Sequence, residues 1–97
     1  MLTFNEAKKR NFIKLRLFVP IVERVHGENH PEFSDVRKLF NEINIKTKKA
    51  KSEKPELDNE FNQLREITDN YTVPGDACES YKAVYNMLAE VDKAYQA

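Results

Sequence analysis

The sequence predicts an all-α fold, an up-down four-helix bundle that forms a single domain over residues 1–97. Apolar residues recur at alternating steps of three and four in four successive segments, which is the period of an amphipathic helix. The chain has only two glycines and four prolines, so few positions interrupt a helix. No segment alternates between apolar and polar residues with the period of two that a half-buried strand needs. Amphipathic helices with short connections pack most economically as an antiparallel bundle.

The first helix is predicted to begin at Thr3, because Thr3 followed three residues later by Glu6 forms a capping box. Its core face consists of apolar residues at helical spacing, interrupted by the polar Asn11. These apolar residues are Phe4, Ala7, Leu15, Phe18, Val22 and Val25. Pro20 lies inside the helical pattern and removes a backbone hydrogen bond, which predicts a kinked first helix near residues 18–20.

A second apolar row on this helix, Ile13, Leu17 and Ile21, steps by four residues and points roughly away from the core face. Two interpretations stay open. The row is a surface for a protein partner or a second copy of the chain, or a neighbouring helix of the same chain covers it.

Both histidines lie in the turn that follows, over residues 25–33. Gly27 can take the left-handed conformation that ends a helix, and Pro31 has the φ angle suited to the first position of the next helix. The pair His26 and His30 is the only metal-binding candidate. It can hold a weakly bound ion, since a tight site needs about three or four protein ligands. In the alternative, both histidines cap a helix or form hydrogen bonds in the core.

A second amphipathic helix is predicted after this turn, and its end is not sharply marked in the sequence. Its apolar set is Phe33, Val36, Phe40, Ile43, Thr47 and Ala50. A lysine cluster crowds its last turns, where cations are favourable near the negative end of the helix dipole. The cluster, Lys46, Lys48, Lys49, Lys51 and Lys54, contains no arginine and no interleaved aromatic residue, so it does not predict a nucleic-acid site.

Pro55 is predicted to open the third helix, with Glu56 in its first turn. Its buried stripe is Leu57, Phe61, Leu64, Ile67 and Tyr71. After a break at residues 73–75, Asp76 with Glu79 three residues later predicts a capping box for the fourth helix. Its apolar set is Ala77, Tyr81, Val84, Leu88, Val91 and Tyr95.

Composition narrows the classes of function. Sixteen basic and sixteen acidic residues cancel, so no global field attracts nucleic acid or an anionic membrane, and no apolar run reaches the length that crosses a bilayer. The single Cys78 cannot form an internal disulfide, and no apolar signal segment follows Met1, which predicts a cytoplasmic protein. Cys78 is a reactive thiol or a small packed residue at a helix start, and its distance in sequence from either histidine gives no basis for a catalytic triad.

Two stretches resemble a known family. The segments VERVHGENHPEF (residues 22–33) and LREITDNYTVPGDAC (residues 64–78), with the similarity continuing over residues 81–85, resemble the hemerythrin-like domain of the iron-sulfur cluster repair (RIC-type) di-iron proteins. The resemblance covers almost the whole chain. It implies a hemerythrin-like bundle that carries a non-haem di-iron centre and helps to restore iron-sulfur clusters damaged by oxidative or nitrosative stress.

The resemblance also implies iron ligands that this chain lacks. Of the family's ligands only the histidine of the Val-His-Gly corner is present, as His26. Asn5 stands about where the family has a histidine in the first helix. The position of the family's His-x-x-x-Glu in the second helix corresponds to the lysine-rich stretch after Ile45, which contains no such motif. Residues 54–56 replace the family's Glu-His-Asp opening of the third helix. The last ligand pair of the family falls beyond Ala97.

We therefore expect a hemerythrin-like protein with a degenerate metal site and no enzymatic activity, which binds a protein partner or itself. The alternative is a metal-binding cluster-repair protein in which His26 and His30 hold iron, with or without a partner chain that supplies further ligands.

Overall fold

Four α-helices make up the fold of the computed structural model, which describes residues 2–51 and 53–97. The helices are α1 (Phe4–His26), α2 (Phe33–Ala50), α3 (Asp58–Thr68) and α4 (Glu79–Gln96). The described residues contain no strand. The prediction of an all-α fold with four helices is confirmed.

Helix α1 is the central element of the packing, because it lies against both α2 and α4, and α2 also packs against α3. Hydrogen bonds tie the ends of α3 to α4. The Leu57 amide donates to the Tyr95 hydroxyl at 2.8 Å, and the Tyr71 hydroxyl donates to Asp92 Oδ2 at 2.7 Å. Each helix therefore contributes to one shared interior.

Aromatic rings fill this interior where α1 ends and α2 and α4 begin. Phe33, Tyr81 and Tyr85 are almost completely buried. The Tyr81 ring meets those of Phe33 and Tyr85 edge-on, at centroid distances of 5.2 and 5.0 Å. Such edge-to-face pairs are favourable beyond the area that they bury.

The core face of α1 follows the prediction except near its end. Phe4, Ala7, Leu15 and Val22 are buried as predicted, and so are Asn11, Phe12 and Val19. The prediction for Val25 is wrong, since its side chain is 62% exposed. His26, four residues after Val22, takes the next inward position instead.

Asn11 can be buried because its side-chain amide donates two hydrogen bonds. Its Nδ2 donates to the Ala7 carbonyl at 2.9 Å and to Glu90 Oε2 on α4 at 2.7 Å.

Helix α1 continues through Pro20, which lies on an exposed side. The kink near Pro20 stays a prediction.

The predicted capping box of α1 is confirmed. The Thr3 amide donates to Glu6 Oε1 at 2.9 Å, and the Glu6 amide donates to Thr3 Oγ1 at 3.2 Å. The other helix starts differ. Helix α2 begins at Phe33 and not at Pro31, and α3 begins at Asp58 and not at Pro55.

Two predictions about local conformation are wrong. Gly27 has φ −57° and ψ −29°, so it is right-handed. Glycine is needed there because a Cβ atom would overlap the carbonyl oxygen of Glu23. Asp76 does not cap α4, whose N-cap is Cys78 without a side-chain cap bond. The Asp76 carboxylate binds His30 instead.

The apolar sets of α2, α3 and α4 are buried almost as predicted. Ala50, Ile67, Tyr71 and Ala77 are only partly buried. Tyr71 follows the end of α3, at the last of three consecutive positions with positive φ, which are Asp69, Asn70 and Tyr71. Burial also extends to residues that the prediction omitted, which are Leu39, Glu60, Thr68, Tyr85, Asp92 and Ala94.

In the part of the chain that the structure describes, no helix is both long and apolar enough to cross a membrane.

Candidate functional site

The end of α1 and the loop before α4 bring four titratable side chains together. His26 Nε2 lies 3.2 Å from Cys78 Sγ, although the two residues are 52 positions apart in the sequence. His30 Nε2 lies 3.0 Å from each carboxylate oxygen of Asp76. Neither contact is predictable from the sequence, because both depend on the packing of α1 against α4.

His30 is held from two sides. Its Nδ1 lies 3.1 Å from Glu32 Oε1, and its side chain is only 16% exposed. The hydrogen bond to Asp76, with a smaller contribution from Glu32, raises the pKa of His30 against the opposing effect of burial. The same hydrogen bond lowers the pKa of Asp76. The arrangement favours an imidazolium between carboxylates.

Tyr81 forms the floor under both imidazoles. Its ring centroid lies 5.3 Å from those of His26 and His30, with interplanar angles of 75° and 78°. Burial raises the pKa of the Tyr81 hydroxyl. The two histidines therefore contact the core through their ring edges and faces while their nitrogens bind polar groups.

The residues present do not fit the di-iron centre that the family resemblance implies. In residues 2–51 and 53–97, no three His, Cys, Asp or Glu side chains are arranged to hold a metal ion. Each buried carboxylate already has a protein partner on at least one oxygen, since Glu60 Oε2 accepts from Lys46 Nζ at 2.6 Å and Asp92 accepts from Tyr71 and Arg65, although Glu60 Oε1 has no partner. A two-histidine site at His26 and His30, whose ring centroids are 6.4 Å apart, stays a prediction.

The second apolar row on α1 is exposed. Ile13, Leu17 and Ile21 are 63%, 60% and 42% exposed, and Val25 extends the row by one turn at 62%. We call these four residues the α1 stripe. The interpretation that a neighbouring helix of the chain covers the row is therefore wrong for the described structure.

A groove of about 380 Å³ between α1 and α2 borders the α1 stripe. Phe12 and Ile13 supply apolar surface in this basic groove. Its cationic residues come from both helices and are Lys8, Lys9, Arg16, Lys48 and Lys51. No carboxylate lines it among the residues that the structure describes. The sequence reasoning recognised only the α2 lysines, because nothing in the sequence shows that the two helices place their cations together.

Comparison with protein-family models, with curated protein sequences and with solved structures gives no match for this chain.

Proposed function

We propose that this chain is a cytoplasmic, hemerythrin-like up-down four-helix bundle of the RIC type, with a kinked first helix, that has lost most of its di-iron ligands. It acts without enzymatic activity as a protein-interaction or accessory component linked to iron-sulfur cluster repair or the stress response. The family resemblance supports the hemerythrin-like fold, and side chains unsuited to holding two iron ions support the loss of the di-iron ligands. The exposed α1 stripe supports the role in protein interaction.

The α1 stripe has the form of a contact surface. Four aliphatic side chains, one per helical turn, present a row of about 18 Å from Ile13 to Val25. Full burial of a fully exposed aliphatic side chain is worth roughly 1.5–3 kcal/mol, and these partly exposed side chains gain a fraction of that, part of which offsets the cost of association. A row of this kind on a rigid helix suits a protein partner or a second copy of the chain.

Site-specific photo-crosslinking in cells tests the interaction role. A photo-reactive amino acid replaces Leu17, and a matched variant carries it at Glu66, which is exposed on α3. We expect a discrete adduct from position 17 that disappears when Ile21→Glu is added, and none from position 66. Equal adducts from both positions, or none from either, would contradict the interaction role.

Light scattering tests the self-association part separately. If the partner is a second copy, the wild type is a dimer and Leu17→Glu is a monomer. A strict monomer in both removes the dimer from the proposal.

The metal-binding alternative uses His26 and His30, with iron as the cofactor. Elemental analysis of protein from iron-supplemented cells tests it directly. Near-stoichiometric iron that disappears in His26→Ala would overturn the non-metal proposal, and iron-free protein would leave the alternative without support.

A second candidate function, a regulatory thiol, is favoured by the 3.2 Å contact between His26 Nε2 and Cys78 Sγ. Cys78 is exposed at the N-cap of α4, and an adjacent imidazole is the kind of base that activates a nucleophilic thiol. We expect His26→Gln to slow alkylation of Cys78 by iodoacetamide, because the ring nitrogen that can act as a base beside the thiol is lost. Equal rates in the folded proteins would contradict this role, and the rates in denaturant serve as the control.

A further inference from the structure

We infer that the partner of the α1 stripe is an acidic amphipathic helix of another protein, and not a second copy of this chain. The inference rests on the proposed interaction role and assigns the chemistry of the partner.

The α1 stripe and the basic groove form one continuous surface. Ile13 belongs to both. A helix laid along the stripe therefore has one flank over the groove. Acidic side chains on that flank reach the cations of the groove. Among the described residues, no carboxylate lines the groove that would repel them.

The exposed surface of α1 is also cationic outside the groove. Lys14 and Arg24 are exposed on this helix, and so is Arg10, which lies 3.8 Å from Glu90 of α4. Its carboxylates have local partners, since Glu6 closes the capping box with Thr3 and Glu23 binds Arg37 of α2. The chain carries sixteen basic and sixteen acidic residues, so this positive surface is a local concentration within a neutral protein.

Charge argues against a second copy as the occupant. A symmetric dimer through the α1 stripe would place the same surface on both sides of the interface. Cations such as Lys14 and Arg24 would then flank the row from both copies, and like charges across an interface are unfavourable. An acidic helix meets the same cations with opposite charge, which favours and accelerates association.

Shape and chemistry separate an acidic helix from other polyanions. The stripe is aliphatic, and Phe12 in the groove is only 4% exposed, so there is no aromatic platform on which bases stack. A concave groove beside a single row of side chains fits a convex rod better than the flat surface of a bilayer. Residues spaced by four along α1 also match the ridge of a packed helix.

Fluorescence anisotropy with two designed helical peptides of about 18 residues tests the inference on the full chain. In the first peptide leucines recur at i, i+4, i+7 and i+11 with glutamates on the flanks. In the second, lysine replaces every glutamate. We expect the glutamate peptide to bind about tenfold or more tightly than the lysine peptide, and to weaken when salt rises from about 50 to 300 mM.

Three variants locate the binding. Leu17→Glu and the double variant Lys8→Glu/Lys48→Glu each weaken binding of the glutamate peptide about tenfold or more, since one removes a stripe residue and the other reverses charges in the groove. Lys93→Glu, an exposed α4 residue away from the groove, leaves affinity unchanged. Circular dichroism confirms that each variant is helical before it is scored.

The outcomes separate this inference from the proposed function. A wild-type dimer that Leu17→Glu dissociates, together with no binding of the glutamate peptide, overturns the acidic-helix inference and leaves the interaction role intact. Equal affinity for both peptides also overturns the inference. So does binding, lost in the double variant, to vesicles with about one-quarter phosphatidylglycerol or to a single-stranded oligonucleotide. Absence of peptide binding, dimer and photo-adduct overturns both.

Discussion

The ion pair between His30 and Asp76 links the turn after α1 to the loop before α4. Both carboxylate oxygens of Asp76 lie 3.0 Å from His30 Nε2, and Glu32 approaches the other ring nitrogen. The two segments are distant in sequence, and this contact stabilises the folded chain most while His30 is protonated and Asp76 is ionised.

Folding stability is predicted to depend on pH through this pair. The folded pKa of His30 is raised, so its contribution is fully present below the unfolded value of about 6.5 and is lost as pH rises through the folded value. The folded pKa of Asp76 is lowered, so its contribution is present above about pH 4 and is lost as pH falls through the folded value. In denaturant unfolding between about pH 5 and 8, the free energy of unfolding should decline as the pH rises above about 6.5.

Asp76→Asn is the matched control for this pH dependence. The amide cannot hold the imidazolium by charge, so the decline in stability above about pH 6.5 should flatten. An unchanged profile in Asp76→Asn would show that another group causes the dependence.

Gly27 is predicted to be intolerant of a side chain although its φ angle is ordinary. A Cβ atom at this position would overlap the Glu23 carbonyl oxygen, so the end of α1 must shift. We expect Gly27→Ala to lower the free energy of unfolding by about 1–3 kcal/mol, the usual cost of overpacking. Gly75→Ala is the control, because no atom lies within 4 Å of its added Cβ, and it should be close to neutral. Equal effects of the two substitutions would contradict the steric explanation.

At the scale of the helices, α2 and α3 are joined by an ion pair at their interface. Glu60 on α3 has a side chain that is only 4% exposed, and Lys46 on α2 reaches it from the half-exposed side at 2.6 Å. The hydrogen bond to Glu60 raises the pKa of Lys46. The other carboxylate oxygen of Glu60 is buried without a hydrogen-bond partner in the structure. The pair therefore leaves α3 sensitive to any change in its cation.

Removing the cation alone is predicted to cost more than removing the pair. Lys46→Met leaves the Glu60 carboxylate buried without its cation, and we expect a loss of about 2 kcal/mol in the free energy of unfolding. The double variant Lys46→Met/Glu60→Leu should recover most of that loss, since it removes the buried charge as well. Urea unfolding of the single and double variants measures the difference. A double variant no more stable than Lys46→Met would contradict this account.

The helices themselves were predictable from the sequence, because their apolar residues repeat at the helical period. The inward polar residues were not predictable in the same way. Asn11 and Asp92 are buried because partners on other helices satisfy them, and these partners are Glu90 for Asn11 and Tyr71 with Arg65 for Asp92. A single sequence shows which residues share a face, but it does not show which faces meet.

The candidate site was less predictable than the helices for the same reason. The apolar row Ile13, Leu17 and Ile21 is visible as a pattern along one helix, so it could be identified from the sequence alone. The contact between His26 and Cys78 joins residues 52 positions apart, and the basic groove joins α1 with the end of α2. Both arise only from the packing of whole helices.

For the whole molecule, apolar packing explains how the helices stay together. Apolar side chains from all four helices form one buried core, and the buried carboxylates Glu60 and Asp92 are paired with Lys46 and Arg65. No group of three metal-binding side chains lies among the described residues. Burial of this apolar surface is the dominant favourable term in the free energy of folding.

The melting temperature is predicted to be insensitive to metal. A chelator that removes divalent and ferrous ions should leave the thermal unfolding midpoint unchanged, and added ferrous iron should not raise it, because a ligand stabilises only the state that binds it. Differential scanning calorimetry of chelated and iron-supplemented protein measures this. A fall of several degrees on chelation would contradict the prediction and would support the metal-binding alternative.

Helix α1 has one face in the core and another, the α1 stripe, in solvent. The two faces should therefore respond to different selections in a saturation-mutagenesis library. A screen for abundance should tolerate polar replacements at Leu17 and reject them at Leu15, while a screen for complex formation should reject them at both. The difference between the two tolerance profiles would then trace the boundary of the contact surface even while the partner is unidentified.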